Sequence, residues 1–284
     1  MTTLTAVPPT GAAAPAAEPP ARFPDLFAAE WIKMRSLRST PWALAFTTLF
    51  VIGSAAVAAL SDYHNQPHYS ALGQRPHLFA LGDAFPPAGY LTLMLVAGSI
   101  GAITAVSEYS SGLIRTTTVA VPARGSVVLA KAGVLAAVWT LLGTVIAAAS
   151  FALSQTVLDG WHVSFPITHP HALQALAASA LLAPACALVG LGLGVLIRHS
   201  AATVVTTAFT LLMLPPIFSS GSRWSADIRH AMVQSAWGRL IQDWDPSPGD
   251  GFFSPTVTGS WVTYVAWPLV AVVLALVVVR RRDV

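Results

Sequence analysis

The chain has 284 residues, of which 55% are hydrophobic and only 10% are charged. A soluble domain carries about a quarter charged residues, so this composition excludes an ordinary water-soluble fold. The 15 basic and 12 acidic residues are gathered in short segments, and six long stretches between them contain no Asp, Glu, Lys or Arg. That distribution predicts an all-α integral membrane protein, and the basic balance is not the footprint of a nucleic-acid partner.

The first residues differ in composition from the rest of the chain. Residues 1–22 are rich in Thr, Ala and Pro, lack the features of a signal peptide, and are predicted to form a disordered cytoplasmic tail. From Phe23 to Leu37, apolar residues recur at spacings of three and four, at Phe23, Phe27, Trp31 and Met34. This periodicity predicts an amphipathic helix lying on the membrane surface, which begins a membrane domain that covers residues 23–284.

Six segments of this domain are long and apolar enough to cross a bilayer. The predicted spans are residues 42–60, 87–106, 132–158, 172–197, 201–218 and 261–279. Prolines fall inside or at the ends of several spans, and membrane helices tolerate them because neighbouring groups can bond the freed carbonyls. The single cysteine, Cys186, lies in the fourth span and can form no internal disulfide.

The basic residues predict the orientation of the spans. With six spans both termini lie on one side, and that side carries eleven of the Lys and Arg residues, whereas the opposite side carries four. Because basic residues are enriched in cytoplasmic loops, both termini are predicted to be cytoplasmic.

Histidines in the loops on the other side are the only candidates for a metal site. His64 and His68 have a spacing of four residues, which would place both imidazoles on one helix face, but Pro67 argues against a regular helix there. His64 and His68 belong to a first group, in the first outer loop, that also includes His77, Asp62 and Asp83. A second group, in the next outer loop, consists of His162, His169 and His171. Solvated loops explain both groups better than a metal does.

The fifth loop, residues 219–260, is long and contains three tryptophans. One helical face is formed by Trp224, Ile228, Ala231, Met232 and Ser235. This face indicates a short helix half-buried in the outer interface. An ordinary loop whose tryptophans anchor the ends of spans is the alternative.

The chain carries no motif that would let it hydrolyse ATP or act as a serine hydrolase. GxxxxGK[ST] and G-x-S-x-G are both absent from the sequence. The predicted spans also lack ionisable side chains, which disfavours coupling to protons or sodium. The chain is therefore predicted not to be an enzyme and to need no cofactor, and energy for transport would come from another chain.

Two polar or small-residue patterns occur within the spans. In span five a stripe of hydroxyls is formed by Thr203, Thr206, Thr207 and Thr210. These threonines could bond carbonyls of their own helix and pack against another helix, or line a substrate path. In span four Gly190 and Gly194 form a GxxxG pair, which predicts close packing against another helix.

Two segments resemble a known family. The run EWIKMRSLRSTPW, residues 30–42, and the run SEYSSGLIRTTTVAVPARGSVVLAK, residues 107–131, are similar to the corresponding segments of actinobacterial permeases of type-2 ABC exporters. The resemblance implies a permease that forms the substrate path with a second permease half, as a homodimer or heterodimer, and that is powered by a separate ATPase subunit. Spans without charges favour an amphipathic or apolar substrate.

The segment after span two is predicted to couple the ATPase to the membrane. Glu108 is the first charge beyond that span and stands at a helix C-terminus, where a carboxylate is unfavourable and needs a basic partner. The predicted partners are Arg115, Arg35 or Arg38, and Gly112 is expected to end the helix in a left-handed conformation.

With Glu30 of the first run, these residues give Glu30, Glu108, Gly112 and Arg115 as predicted coupling residues. Two other functions stay open: a membrane anchor or assembly factor without transport, and a membrane-embedded metalloenzyme that uses the outer histidines.

Overall fold

A computed structural model describes residues 22–36, 39–71, 80–110, 112, 124–244 and 253–281. Within these ranges the chain forms helices joined by turns, and no strand occurs. Six helical segments are long and apolar enough to cross a membrane, which confirms the predicted all-α class and number of spans. The tail, residues 1–21, and Arg115 and Arg38 lie outside the described residues.

The helices are numbered along the chain. α1 is Phe23–Ser36, α2 is Ser39–Ala71, α3 is Ala80–Ala84, α4 is Pro87–Ser110, α5 is Arg124–Leu158, α6 is Pro170–Ile197, α7 is Ser200–Ala208, α8 is Leu214–Ile217, α9 is Arg223–His230, α10 is Val233–Leu240 and α11 is Val257–Arg281. The six spans are α2, α3 with α4, α5, α6, α7 with α8, and α11.

The first span runs further than the sequence predicts. α2 continues through Pro67 to Ala71, so the prediction that Pro67 excludes a regular helix around His64 and His68 is wrong. Pro67 is exposed and stands in the last turns of α2, where water can take the place of the hydrogen bond that proline cannot donate. α5 is also longer, because it begins at Arg124 and not at Ala132.

α6 forms the centre of the bundle and packs against α4, α5 and α11. In the most apolar 18-residue stretch of α6, 72% is buried, compared with 22% in the corresponding stretch of α2. The close contact between α4 and α6 runs along four glycines, Gly98, Gly101, Gly190 and Gly194, which we call the glycine seam. A Cβ at Gly190 would collide with the carbonyl oxygen of Gly98, and one at Gly101 with that of Ala187. The packing predicted for Gly190 and Gly194 is confirmed.

The outer helices of the bundle expose broad apolar faces. The most apolar 18-residue stretches of α2 and of α7 with α8 are each 22% buried, and that of α11 is 28% buried. Large apolar side chains that face outward include Trp42, Leu49, Val205, Met213, Val265 and Leu269. These faces are suited to lipid or to another membrane chain.

The fifth span is interrupted near its end. A single π-helical turn, Phe209–Met213, separates α7 from α8. Pro215 and Pro216 follow directly, and each lacks the amide that would bond a carbonyl one turn earlier. The wide turn accommodates these freed carbonyls, as π-bulges do in other helices.

The long segment after the fifth span forms two short helices instead of one. α9 and α10 are separated at Ala231 and Met232, so the predicted continuous face from Trp224 to Ser235 is broken. Trp224 is exposed, whereas Trp237 of α10 is buried and stacks on Tyr90 with ring centroids 5.3 Å apart. Packing into the core therefore ends the first helix and redirects the second.

Candidate functional site

α1 packs on the bundle with only part of the predicted face, namely Phe27 and Met34, together with Glu30. Glu30 and Met34 are buried, whereas Phe23 and Trp31 of the predicted apolar face are exposed. Phe27 lies against Gly133 of α5, where an added Cβ would approach its ring at 3.2 Å. The helix predicted for residues 23–37 is present over Phe23–Ser36, but the structure does not establish it as an amphipathic surface helix.

Four charged side chains meet where α1 contacts α4 and α5. They are Glu30 and Lys33 of α1, Glu108 of α4 and Lys131 of α5, and we call them the four-charge cluster. Lys33 Nζ donates to Glu30 Oε1 at 2.7 Å and to Glu108 Oε1 at 2.9 Å. Lys131 Nζ donates to Glu30 Oε2 and, at 3.0 Å, to Glu108 Oε1. Each lysine thus bridges both glutamates.

The four-charge cluster is balanced in charge and mostly hidden from solvent. The side chains of Glu30, Lys131 and Glu108 are 6%, 7% and 11% exposed, whereas that of Lys33 is 45% exposed. Two carboxylates and two ammonium groups leave no net charge, which is how buried ions are tolerated. Removal of one member would leave a buried charge without its partner.

Lys33 shows the electrostatic effect of this arrangement most directly. Partial burial works to lower its pKa, but hydrogen bonds and attraction from Glu30 and Glu108 outweigh that effect and raise the pKa above the ordinary 10.5. Lys33 is therefore protonated throughout the neutral range.

The turn after α4 follows the prediction in part. Gly112 has a φ of 71° and its amide donates to the Tyr109 carbonyl at 3.4 Å, so the predicted left-handed glycine after the helix is confirmed. The predicted partners of Glu108 are wrong where they can be checked. Glu108 bonds Lys33 and Lys131, and Arg35 of α1 is exposed.

The reason is the direction that each α1 residue faces. Glu30, Lys33 and Met34 are spaced by three and four residues, so one side of α1 faces α4 and α5 and Arg35 lies on another. Nearby, the Arg198 guanidinium lies 4.8 Å from the centre of the Tyr109 ring, which adds a cation–π contact between the ends of α6 and α4.

The threonine stripe of the fifth span divides into two pairs. Thr203 and Thr207 are buried, and their hydroxyls donate to the carbonyls of His199 and Thr203 at 2.8 Å. Thr206 and Thr210 are half-buried, and Thr210 lies in the π turn. The first pair thus packs in the way expected of structural threonines, whereas the second pair is more open.

The histidines predicted as metal candidates are spread over two places. His64 and His68 are exposed on α2, and His169 and His171 have ring centroids 5.5 Å apart at the start of α6. His162 ends the turn after α5, and His77 lies outside the described residues. Within the part of the chain that the structure describes, no group of three or more His, Cys, Asp or Glu is arranged to hold a metal.

Sequence reasoning named Glu30 and Glu108 but missed the two lysines as site residues. A signal was available, because Lys33 and Lys131 are the only lysines in a chain with thirteen arginines, and Glu30 and Glu108 are two of its three glutamates. The four-charge cluster therefore collects residue types that the chain otherwise avoids.

A scan against protein-family models finds no match, and a search of the curated proteins finds none either.

Proposed function

We propose that this chain is the membrane-spanning permease subunit of an ATP-driven ABC exporter, which works with a separate ATPase subunit and a second permease half. The observation that carries the proposal is the four-charge cluster, which fixes α1 to two spans at one end of the bundle. The resemblance of residues 30–42 and 107–131 to exporter permeases supports it, since both segments contribute to that cluster.

The four-charge cluster has the connections that a coupling element needs. α1 packs against α5 and is bonded to α4 through Lys33, so a displacement of α1 acts on both spans. On its other sides α1 exposes Trp31, Ile32 and Arg35, which supply an apolar and basic surface for an ATPase subunit. Coupling in this proposal passes from the ATPase to α1 and from there to α4 and α5.

The proposed location is a bacterial cell membrane, with both termini and the four-charge cluster on the cytoplasmic side. The eleven to four division of basic residues supports this orientation. The test uses Gly125→Cys and Ser220→Cys in a Cys186→Ala background. An impermeant thiol reagent applied to intact cells should label the variant at position 220 and spare the one at position 125. The reverse pattern would place the four-charge cluster outside the cell and overturn the proposal.

A second permease half would be a copy of this chain or a related permease. The apolar faces of α2, α7 and α11 are largely uncovered by the rest of the described chain. They therefore provide surface on which a second permease half can pack. Mass measurement of the purified complex, corrected for detergent, should give two permease chains for each pair of ATPase chains. A single permease chain without an ATPase would favour a membrane anchor or assembly factor.

The decisive experiment separates assembly from coupling, since coupling requires different contacts in two states. Glu108→Gln combined with Lys131→Met, which keeps the balanced Glu30–Lys33 pair, and separately Arg115→Ala should leave the permease expressed and bound to its ATPase, while transport per ATP hydrolysed falls. Arg281→Gln, at the exposed end of α11, is the matched control and should leave transport per ATP unchanged. Unchanged transport per ATP in both test variants would contradict the proposed coupling role.

A further inference from the structure

A cavity of about 420 Å³ lies at the end of the bundle opposite α1. It is enclosed by the start of α4, by α8, by α9 with α10, and by residues 253–255. Its volume falls within the range of pockets that hold small ligands. The apolar part of the lining, which we call the apolar wall, includes Leu91, Pro215 and Trp237, and the polar part, which we call the polar wall, includes Arg229, Gln234 and Arg239.

The polar wall carries positive charge. Arg229 is half-buried, and its guanidinium has no hydrogen bond or ion pair with any residue in the described ranges. Arg239 adds a second guanidinium, which is 6% exposed and donates to the carbonyls of Pro255 at 3.1 Å and Trp244 at 3.4 Å. The described residues that line the cavity include no Asp or Glu.

The same wall also contains an acceptor without a donor. The side-chain oxygen of Gln234 is buried and accepts no hydrogen bond from the described chain. A buried polar atom of this kind is costly unless a ligand or water satisfies it. Among the described residues, the cavity thus combines an arginine without a partner, an amide oxygen without a donor and an apolar wall.

From these three features we infer that the cavity binds the anionic headgroup of an amphiphile that carries a phosphate and a neighbouring hydroxyl. The phosphate lies against Arg229, because a guanidinium matches phosphate oxygens with two parallel donors. The hydroxyl donates to the Gln234 oxygen, and the apolar part follows Leu91 and Trp237. In the proposed orientation the cavity belongs to the outer leaflet side of the membrane.

The inference needs no ATPase, so it is tested on the full-length chain alone in a neutral maltoside detergent. Calorimetric titration compares short-chain lipids below their micelle concentration: dihexanoyl-phosphatidylglycerol, dihexanoyl-phosphatidic acid and dihexanoyl-phosphatidylcholine. We expect the two anionic lipids to bind about tenfold more tightly than the zwitterionic one, because charge-assisted bonds to arginine are lost when the phosphate is paired within its own headgroup. Inorganic phosphate should bind more weakly than either anionic lipid, since it lacks the apolar part.

Two variants localise the site. Arg229→Gln should lower the affinity for both anionic lipids about tenfold, to the level of phosphatidylcholine. Arg223→Gln is the matched control, because Arg223 is exposed on the same helix and does not line this cavity. Measured at about pH 9, Gln234→Leu should weaken phosphatidylglycerol and spare phosphatidic acid, whose doubly ionised phosphate has no hydroxyl to donate.

Several outcomes would overturn the inference. Equal affinities for phosphatidylglycerol and phosphatidylcholine would exclude an anion site, and equal losses in Arg229→Gln and Arg223→Gln would reduce it to general surface charge. Inorganic phosphate that binds as tightly as the lipids would exclude an amphiphile. An equal effect of Gln234→Leu on both anionic lipids would exclude the hydroxyl contact. None of these results would affect copurification with an ATPase, so the permease proposal is tested separately.

Discussion

At the centre of the bundle α4 and α6 meet along the glycine seam, whereas at the α1 end α1, α4 and α5 meet through the four-charge cluster. In the glycine seam the lack of side chains lets the two backbones approach so closely that an added methyl group would collide with a carbonyl oxygen. In the four-charge cluster the helices are held by ion pairs, and all four side chains are needed for the net charge to be zero.

The difference between these two contacts has a consequence for motion. Close-packed helices of the glycine seam hold one arrangement, since their small residues leave no room for a second. Ion pairs between separate helices can exchange partners when one helix is displaced. The four-charge cluster is therefore the better place for a coupling element, and the glycine seam is the better place for a fixed frame.

Lys131→Met should have the largest effect on stability. It leaves Glu30 and Glu108 buried with only Lys33 between them, and loss of one partner from a buried ion network costs about 3–5 kcal/mol. The matched variant is Lys131→Met combined with Glu108→Gln, which retains the balanced Glu30–Lys33 pair and should recover most of the loss. Thermal unfolding in detergent measures both. A double variant no more stable than the single one would show that packing, and not charge balance, holds this contact.

Gly101→Ala should have the next largest effect and would test the glycine seam. The new methyl group meets the Ala187 carbonyl, and overpacking of this kind costs about 1–3 kcal/mol. Gly53→Ala on α2 is the control, because a Cβ there has open space and alanine favours a helix by up to about 1 kcal/mol. Opposite shifts of the unfolding temperature are expected. If both variants gain stability, the helices of the glycine seam are less closely packed than described.

Lys33→Met should cost less than Lys131→Met, about 1 kcal/mol or less, because the Lys33 side chain is 45% exposed and solvent screens its ion pairs. The pKa of Lys33 is raised on folding, so its contribution is complete below the ordinary 10.5 and is lost as the pH rises above that value. Unfolding followed from pH 7 to 11 should show the difference between wild type and Lys33→Met shrink only at the alkaline end. A difference that disappears near pH 7 would contradict this assignment.

Thr203→Val and Thr207→Val should have the smallest effect on stability, about 1 kcal/mol or less for each hydroxyl. Both hydroxyls bond carbonyls of their own helix, and valine nearly preserves the volume. Thr206→Val and Thr210→Val provide the comparison for a substrate path, since these residues are more open. In these Thr→Val variants we expect the rate of transport to change more than the free energy of unfolding. An unchanged substrate-stimulated ATPase rate in all four variants would leave the stripe with a packing role alone.

Several features follow from the sequence without knowledge of the fold. The six spans, the helix near residues 23–36, the left-handed Gly112 and the close packing at Gly190 and Gly194 are all correct. Each depends on properties of a short segment: its mean hydropathy, its periodicity, or a residue type that allows one backbone conformation or close approach. Local properties of this kind are present in the sequence before any helix meets another.

The tertiary structure alone decides which charges become partners. Lys131 and Glu30 are 101 residues apart and Lys33 and Glu108 are 75 apart, so no local pattern pairs them. The sequence rules place a basic partner near Glu108, but they do not separate Arg35, which is exposed, from the two lysines, which point inward. Only the packing of α1 on α4 and α5 fixes that direction, because an ion buried there requires a counter-ion within hydrogen-bonding distance.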